Sequence, residues 1–203
     1  LVLSGAGTGK TRVLTSRFVY IVQKLGIDSQ KIIAVTFTNK AANEIKYRVN
    51  KAINYNIDST WIGTFHSIFA KFLRKHAHLV GLKSNFNILD TDDQKKLIKQ
   101  VFEYCKMDKD INESLFLNEI QNLKDEKIQS IDKNNILKFS SLENIDDIYK
   151  IYQQRLIEIN AVDFGDILLH SYNILINHND IKETYSCFIQ HILIDEFQDT
   201  NLL

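Results

Sequence analysis

The sequence predicts an α/β fold, a parallel sheet covered by helices and interrupted by a long helical insertion. Three observations lead there. Short apolar runs at 1–3, 32–35, 61–62 and 192–194 read as buried strands, and the first three pass through a turn into a stripe of helical period. The first turn, "GAGTG" at 5–9, holds three of the chain's seven glycines. The middle, by contrast, reads as mainly helical. The expected organisation is therefore 1–64 as the first part of the sheet domain, 65–188 as the insertion, and 189–203 as a return to the sheet.

The first element pairs Leu1-Val2-Leu3 with a helix whose stripe is Leu14, Phe18, Ile21, Val22 and Leu25, closed by Gly26 at a helix C-cap position. Between them stands "SGAGTGKT", residues 4–11. Gly5, Gly7 and Gly9 allow backbone conformations closed to other residues, so successive N–H groups of the stretch Ser4, Gly5, Ala6, Gly7, Thr8 and Gly9 can converge on an anion. The helix N-terminus behind them adds partial positive charge. Lys10 is placed to reach the β- and γ-phosphates of a nucleotide, and the Thr11 hydroxyl to bind Mg²⁺. Ser4 departs from the general pattern, which has glycine there.

A phosphate loop needs a carboxylate for its metal, usually at the end of a neighbouring strand. "HILIDEFQDTN" supplies one: Asp195 follows the run 192–194 and is the candidate Mg²⁺ ligand, with Glu196 beside it as the group that activates water. Loop and acidic pair together read as an ATPase, with ATP and Mg²⁺ as its cofactors.

The second and third elements repeat one design. "IIAVTFTNKAANEIKYRV" is a strand, a turn at Thr36, Phe37, Thr38 and Asn39, and a helix buried along Ala42, Ile45, Val49 and Ile53. Phe37, ringed by hydroxyls, an amide and Lys40, suits a stacked base of single-stranded nucleic acid, and reads equally as a ring tucked into the core. "STWIGTFHSIFAKFLRKH" leads from a strand through Thr64, Phe65 and His66 into a helix with Ile68, Phe69, Phe72 and Leu73 on one face and a basic end at Arg74, Lys75, His76 and His78. A lone histidine is more often structural than functional. Both loops belong at the C-terminal strand edge, where open parallel sheets bind ligands.

In the middle, three helical faces stand out: Leu97, Ile98, Val101, Phe102 and Cys105; Ile145, Ile148, Tyr152, Leu156 and Ile159; and Phe164, Ile167, Leu168 and Leu175. Residues 106–144 are polar, lysine-rich and weakly periodic, so short helices joined by loops are expected, with no chemistry of their own.

Composition sets limits. At 203 residues and 44% apolar, the chain can bury a full core. Its 25 basic and 25 acidic residues cancel, so any hold on nucleic acid must be local. Cys105 and Cys187 fit no metal spacing and read as buried free thiols of a reducing compartment, the cytoplasm. No apolar run approaches the roughly 20 residues that span a bilayer. The chain starts at Leu1 inside an expected strand, so a fragment lacking sequence at both ends is expected.

Four stretches in order, "SGAGTGKT", "AVTFTNKAANEI", "GTFHS" and "ILIDEFQDTN", resemble motifs I, Ia, Ib and II of superfamily 1 DNA helicases of the UvrD/Rep/PcrA type. "VDFGDILL" at 162–169 is similar to a segment those helicases carry before motif II. The resemblance covers nearly the whole chain. It implies a RecA-like P-loop domain, called 1A, with a helical insertion, called 1B, between Lys10 and Asp195. A small residue such as Ser4 is common in that family's loop. It further implies that Gln198 senses the γ-phosphate, and that Arg12 and Arg48 lie near the base or ribose. Thr36, Phe37, Thr38, Asn39, Thr64, Phe65 and His66 would face single-stranded DNA. The activity implied is ATP-driven 3′-to-5′ translocation and unwinding of DNA, at single strands and single-strand/duplex junctions. A second motor domain and an adenine-reading segment would lie outside this chain. The alternatives are the helicase subunit of a recombination nuclease and a truncated, non-catalytic DNA-binding remnant.

Overall fold

The computed structural model describes residues 9–53, 60–107, 112–129 and 145–197. These divide into two compact units, 9–68 with 178–197, and 69–177.

The first unit is built on a three-stranded parallel sheet in the order β2-β1-β5, with β1 at Ile32–Thr36, β2 at Trp61–Thr64 and β5 at His191–Ile194. Pairing runs from Ile33↔Trp61 to Thr36↔Thr64 on one side of β1 and from Ile32↔His191 to Val35↔Ile194 on the other. Alternation along the strands assigns the two faces. Ile32, Ala34 and Ile62 pack with Leu14, Phe18 and Ile21 of α1 (Lys10–Leu25) and with Ile45, Val49 and Ile53 of α2 (Asn39–Ile53). Val35 and Trp61 pack on the other face with Ile68 of α3 (Phe65–His76), joined by Tyr185 and Ile189 at the end of α8 (Asn179–Phe188). Both faces of β1 are covered, as a parallel strand requires. The α/β parallel-sheet class expected from the sequence is the one observed.

Chain reversals follow local chemistry. Gly9, at φ 94°, starts α1 and Gly26, at φ 69°, ends it by donating its N–H to the Ile21 carbonyl. The α1 stripe stops short of the expectation: Leu25 is 48% exposed, because the buried face ends at Ile21. The expected strand at 1–3 lies outside the described residues.

The second unit holds α4 (Thr91–Tyr104), α5 (Glu113–Gln129), α6 (Ile145–Glu158) and α7 (Phe164–Asn177) around one core. Leu97, Ile98, Val101 and Phe102 meet Phe116, Leu117 and Ile120 of α5, and Ile148, Tyr152 and Leu156 of α6. A two-residue parallel pair, β3 (Asn87–Ile88) with β4 (Ala161–Val162), adds strand structure that the helical reading did not contain. Ile159 falls past the end of α6 and is exposed, while the Ile145 side chain lies outside the described residues. In α7, Ile167 is buried as expected but Phe164 points outward, 52% exposed, and Leu169 and Ile174 fill the core instead.

Three expectations are corrected here. First, the stretch after Cys105 contains one helix of 17 residues, α5, rather than short pieces; residues 130–144 lie outside the described residues. Second, the thiols are free but not both buried. Cys105 is half-buried and Cys187 is exposed, because α8 has no fully buried residue. Third, the basic end of α3 is partly structural: the Arg74 guanidinium donates to the carbonyls of Ser84 (2.9 Å) and Phe86 (3.0 Å) and lies over the Phe86 ring.

The middle of the chain also carries a buried charge cluster. Asp163 precedes α7, and the two carboxylates cap the helix reciprocally: Asp166 N–H donates to Asp163 Oδ1 (2.9 Å) and Asp163 N–H to Asp166 Oδ2 (3.2 Å). Each carboxylate turns its second oxygen to Lys124 of α5, whose Nζ lies 2.5 Å from Asp163 Oδ2 and 2.7 Å from Asp166 Oδ1. The first contact is an aligned hydrogen bond and the second a charge contact. Tyr152 Oη also donates to Asp163. Gly165 gives the lysine its room, since a Cβ there would stand 2.9 Å from Lys124 Cδ.

Candidate functional site

The end of β5 and the start of α1 meet at one place. Asp195 extends the β5–β1 pairing by one bond, its N–H donating to the Val35 carbonyl (2.8 Å), and its carboxylate is 8% exposed. The Thr11 hydroxyl, in the first turn of α1, donates to Asp195 Oδ2 at 3.0 Å. Glu196 then takes a left-handed backbone (φ 52°), which non-glycine residues rarely adopt. Its carboxylate lies 3.0 Å from the Lys10 ammonium, both groups partly exposed. Lys10, Thr11, Asp195 and Glu196, which the sequence singled out from opposite ends of the chain, thus form two direct contacts.

Two further loops stand at C-terminal strand ends, and in each a threonine caps the following helix. Thr38 Oγ1 accepts from the Ala41 N–H (3.1 Å) at the start of α2, and Thr64 Oγ1 accepts from the Ser67 N–H (3.2 Å) at the start of α3. Ser67 Oγ donates back to the Thr64 carbonyl (2.9 Å). That closeness needs Gly63, where a Cβ would sit 2.3 Å from Ser67 Oγ. The position of each aromatic relative to its cap decides its exposure. Phe37, before the cap, is 61% exposed, whereas Phe65, after it, is half-buried against the Val35, Trp61 and Ile68 cluster. Thr36 is buried, Thr38 and Asn39 are exposed, and His66 is half-buried.

The family model for the UvrD/REP helicase N-terminal domain matches residues 1–203, the whole chain. The chain belongs to this family. It is similar, 38% identical over 209 residues, to the "Probable DNA helicase II homolog" of Mycoplasma capricolum subsp. capricolum. It is 36% identical over 202 residues to the ATP-dependent DNA helicase PcrA of Staphylococcus aureus, and 37% identical over 202 residues to PcrA of Staphylococcus epidermidis. These alignments take in 99–100% of the chain but only 28–29% of each relative, so the chain spans under a third of their length.

Within this UvrD/REP domain, other sequence candidates are not drawn into the Lys10–Glu196 and Thr11–Asp195 contacts. Arg12 is exposed, and Arg48 pairs with Glu44 one turn earlier on α2. Ser4, Gly5, Ala6, Gly7, Thr8 and Gln198 lie outside the described residues. Among the described residues no group of three His, Cys, Asp or Glu side chains is disposed to hold a metal. A hydroxyl and one carboxylate at 3.0 Å suit Mg²⁺, which is bound through few protein oxygens plus substrate phosphates. No described helix is long and apolar enough to cross a membrane.

Proposed function

We propose that this chain is the nucleotide-binding part of an ATP-dependent DNA helicase, the half of the motor that holds ATP·Mg²⁺ and faces single-stranded DNA. One observation carries the proposal: the Thr11 hydroxyl and the Asp195 carboxylate, 184 positions apart, share a hydrogen bond beside the Lys10–Glu196 pair. That grouping has the parts phosphoryl transfer needs, a cation for the phosphates, oxygen ligands for a metal, and a carboxylate for water.

In this reading Lys10 binds the β- and γ-phosphates at the N-terminus of α1, where the helix dipole adds to its charge. Gly9 and the Ser4–Thr8 stretch supply backbone donors. Thr11 and Asp195 hold Mg²⁺, which supplies charge neutralisation at the phosphates. Glu196 orients and deprotonates the attacking water. Gln198 senses the γ-phosphate, and Arg12 and Arg48 serve the base or ribose side. Thr36, Phe37, Thr38, Asn39, Thr64, Phe65 and His66 line the DNA face, with Phe37 the exposed stacking platform. Since the chain has no net charge, stacking at about 1–3 kcal/mol per base does much of the gripping. The helical unit corresponds to insertion 1B near the duplex at a junction, and translocation runs 3′ to 5′ in the cytoplasm.

The test is ATP hydrolysis by the full-length protein with and without single-stranded DNA. Stimulation by DNA, and its loss in Lys10→Ala, is expected. Turnover retained in Lys10→Ala would contradict the assignment.

A further inference from the structure

The contact between Lys10 and Glu196 joins the two groups that the proposed reaction needs apart. A general base must have its carboxylate available to water, and one bonded to an ammonium is a weaker base. A phosphate-binding lysine must present its charge to the incoming anion, and a carboxylate already there competes for it. The backbone builds this contact in. Asp195 is anchored at both ends, by its N–H to Val35 and its carboxylate to Thr11, so the chain direction at the end of β5 is fixed. The next residue takes the left-handed conformation, φ 52°, which returns the Glu196 carboxylate to the first residue of α1. Outside glycine that conformation is disfavoured and is held only where its surroundings impose it.

Resting on the nucleotide reading above, we propose that Lys10 and Glu196 form a latch: the carboxylate occupies the phosphate position at the ammonium and is released as a base only when a nucleotide phosphate takes its place. The occupants are interchangeable by chemistry, since both are anions and both are favoured at a helix N-terminus. A polyphosphate is the stronger competitor because it carries more charge. The latch is also weak enough to open, with the Lys10 and Glu196 side chains 23% and 35% exposed and ion pairs of that kind contributing little. Substrate arrival and liberation of the base become a single event, so an empty site does not hold an active base.

A zero-length crosslink reads this contact directly. A water-soluble carbodiimide activates a carboxylate, and an amine in contact with it displaces the urea to leave an amide. The full-length protein is treated with and without a saturating non-hydrolysable ATP analogue and Mg²⁺, occupancy is followed by a fluorescent analogue, and linked peptides are quantified by mass spectrometry. The exposed Lys96–Asp93 pair, 2.8 Å apart, is the internal reference. The latch predicts a Lys10–Glu196 amide in the free protein that falls at least about tenfold with nucleotide bound, the reference unchanged; tenfold is the least displacement that an affinity advantage of about 1.4 kcal/mol gives. Absence of the amide in the free protein would overturn the latch. So would an amide that persists while the fluorescent analogue reports full occupancy. If no analogue binds at all, the nucleotide reading itself fails and the latch falls with it, an outcome the occupancy signal separates from the other two.

Discussion

The Thr11 hydroxyl at the start of α1 donates to Asp195 Oδ2 at the end of β5, a 3.0 Å bond across 184 residues of chain. The bond puts two hard oxygen ligands together and satisfies a carboxylate that is 8% exposed. Thr11→Val removes the donor and leaves a buried acceptor unpaired, which should cost about 1–3 kcal/mol of stability. It should also remove the Mg²⁺-dependent part of nucleotide affinity, while Thr11→Ser retains it. Calorimetric titration with and without Mg²⁺ checks both variants, and equal Mg²⁺ dependence in Thr11→Val would remove Thr11 from the metal site.

Phe37 and Phe65 occupy equivalent loops and are expected to behave differently. Phe37→Ala should weaken single-strand binding by about 1–3 kcal/mol, or about five- to 150-fold, with the melting temperature unchanged. Phe65→Ala opens a gap beside Val35, Trp61 and Ile68 and should lower the melting temperature. Fluorescence anisotropy with a labelled oligonucleotide, paired with thermal melts, separates the two. Unchanged DNA affinity in Phe37→Ala would leave that ring without the proposed role.

The Lys124 cluster is expected to dominate the stability of the helical unit. Lys124→Met strands two buried carboxylates and should cost about 3–5 kcal/mol. Adding Asp163→Asn and Asp166→Asn to it should recover part of that loss by removing the uncompensated charge. Urea unfolding followed by circular dichroism measures both, and a neutral Lys124→Met would show that the cluster contributes nothing.

His170, on α7, gives the unit an acid-sensitive term. Burial holds its pKa below the usual 6.5; Asp166 opposes this, Lys124 reinforces it, and Asp163 opposes it. Below about pH 6.5 the unfolded imidazole takes up a proton that the folded one refuses, so this contribution shrinks as pH falls toward the folded value. Asp163 works with the opposite sign. Burial, with the Asp166 charge adding and Lys124 opposing, raises its carboxyl, so its contribution is present below about 3.8 and is lost as pH rises through the folded value. Comparing urea midpoints of the wild type and His170→Gln at pH 7 and 5.5 isolates the histidine. The variant should lose less stability on acidification, and identical losses would exclude His170 as the source.

The sequence made some of this legible and hid the rest for identifiable reasons. The α2 face at Ala42, Ile45, Val49 and Ile53 is buried as the period indicates, because an amphipathic helix on a sheet has one place for its apolar stripe. Asp195 and Glu196 stood out because a charged pair directly after 192–194 has few other uses. The α5 helix was hidden because its buried face, Phe116, Leu117 and Ile120, continues into Lys124, a residue that reads as solvent-facing until Asp163 and Asp166 meet it in space. The difference between Phe37 and Phe65 was hidden for another reason: it depends on which side of a capping threonine each ring falls, and the apolar pattern does not mark that boundary.

Magnesium-dependent nucleotide binding by the full-length protein tests the central claim most directly, with Lys10→Ala and Asp195→Ala titrated beside the wild type. The account predicts saturable binding that strengthens with Mg²⁺, is lost in Lys10→Ala, and keeps no Mg²⁺ dependence in Asp195→Ala. Nucleotide affinity and Mg²⁺ dependence identical in all three proteins would contradict it.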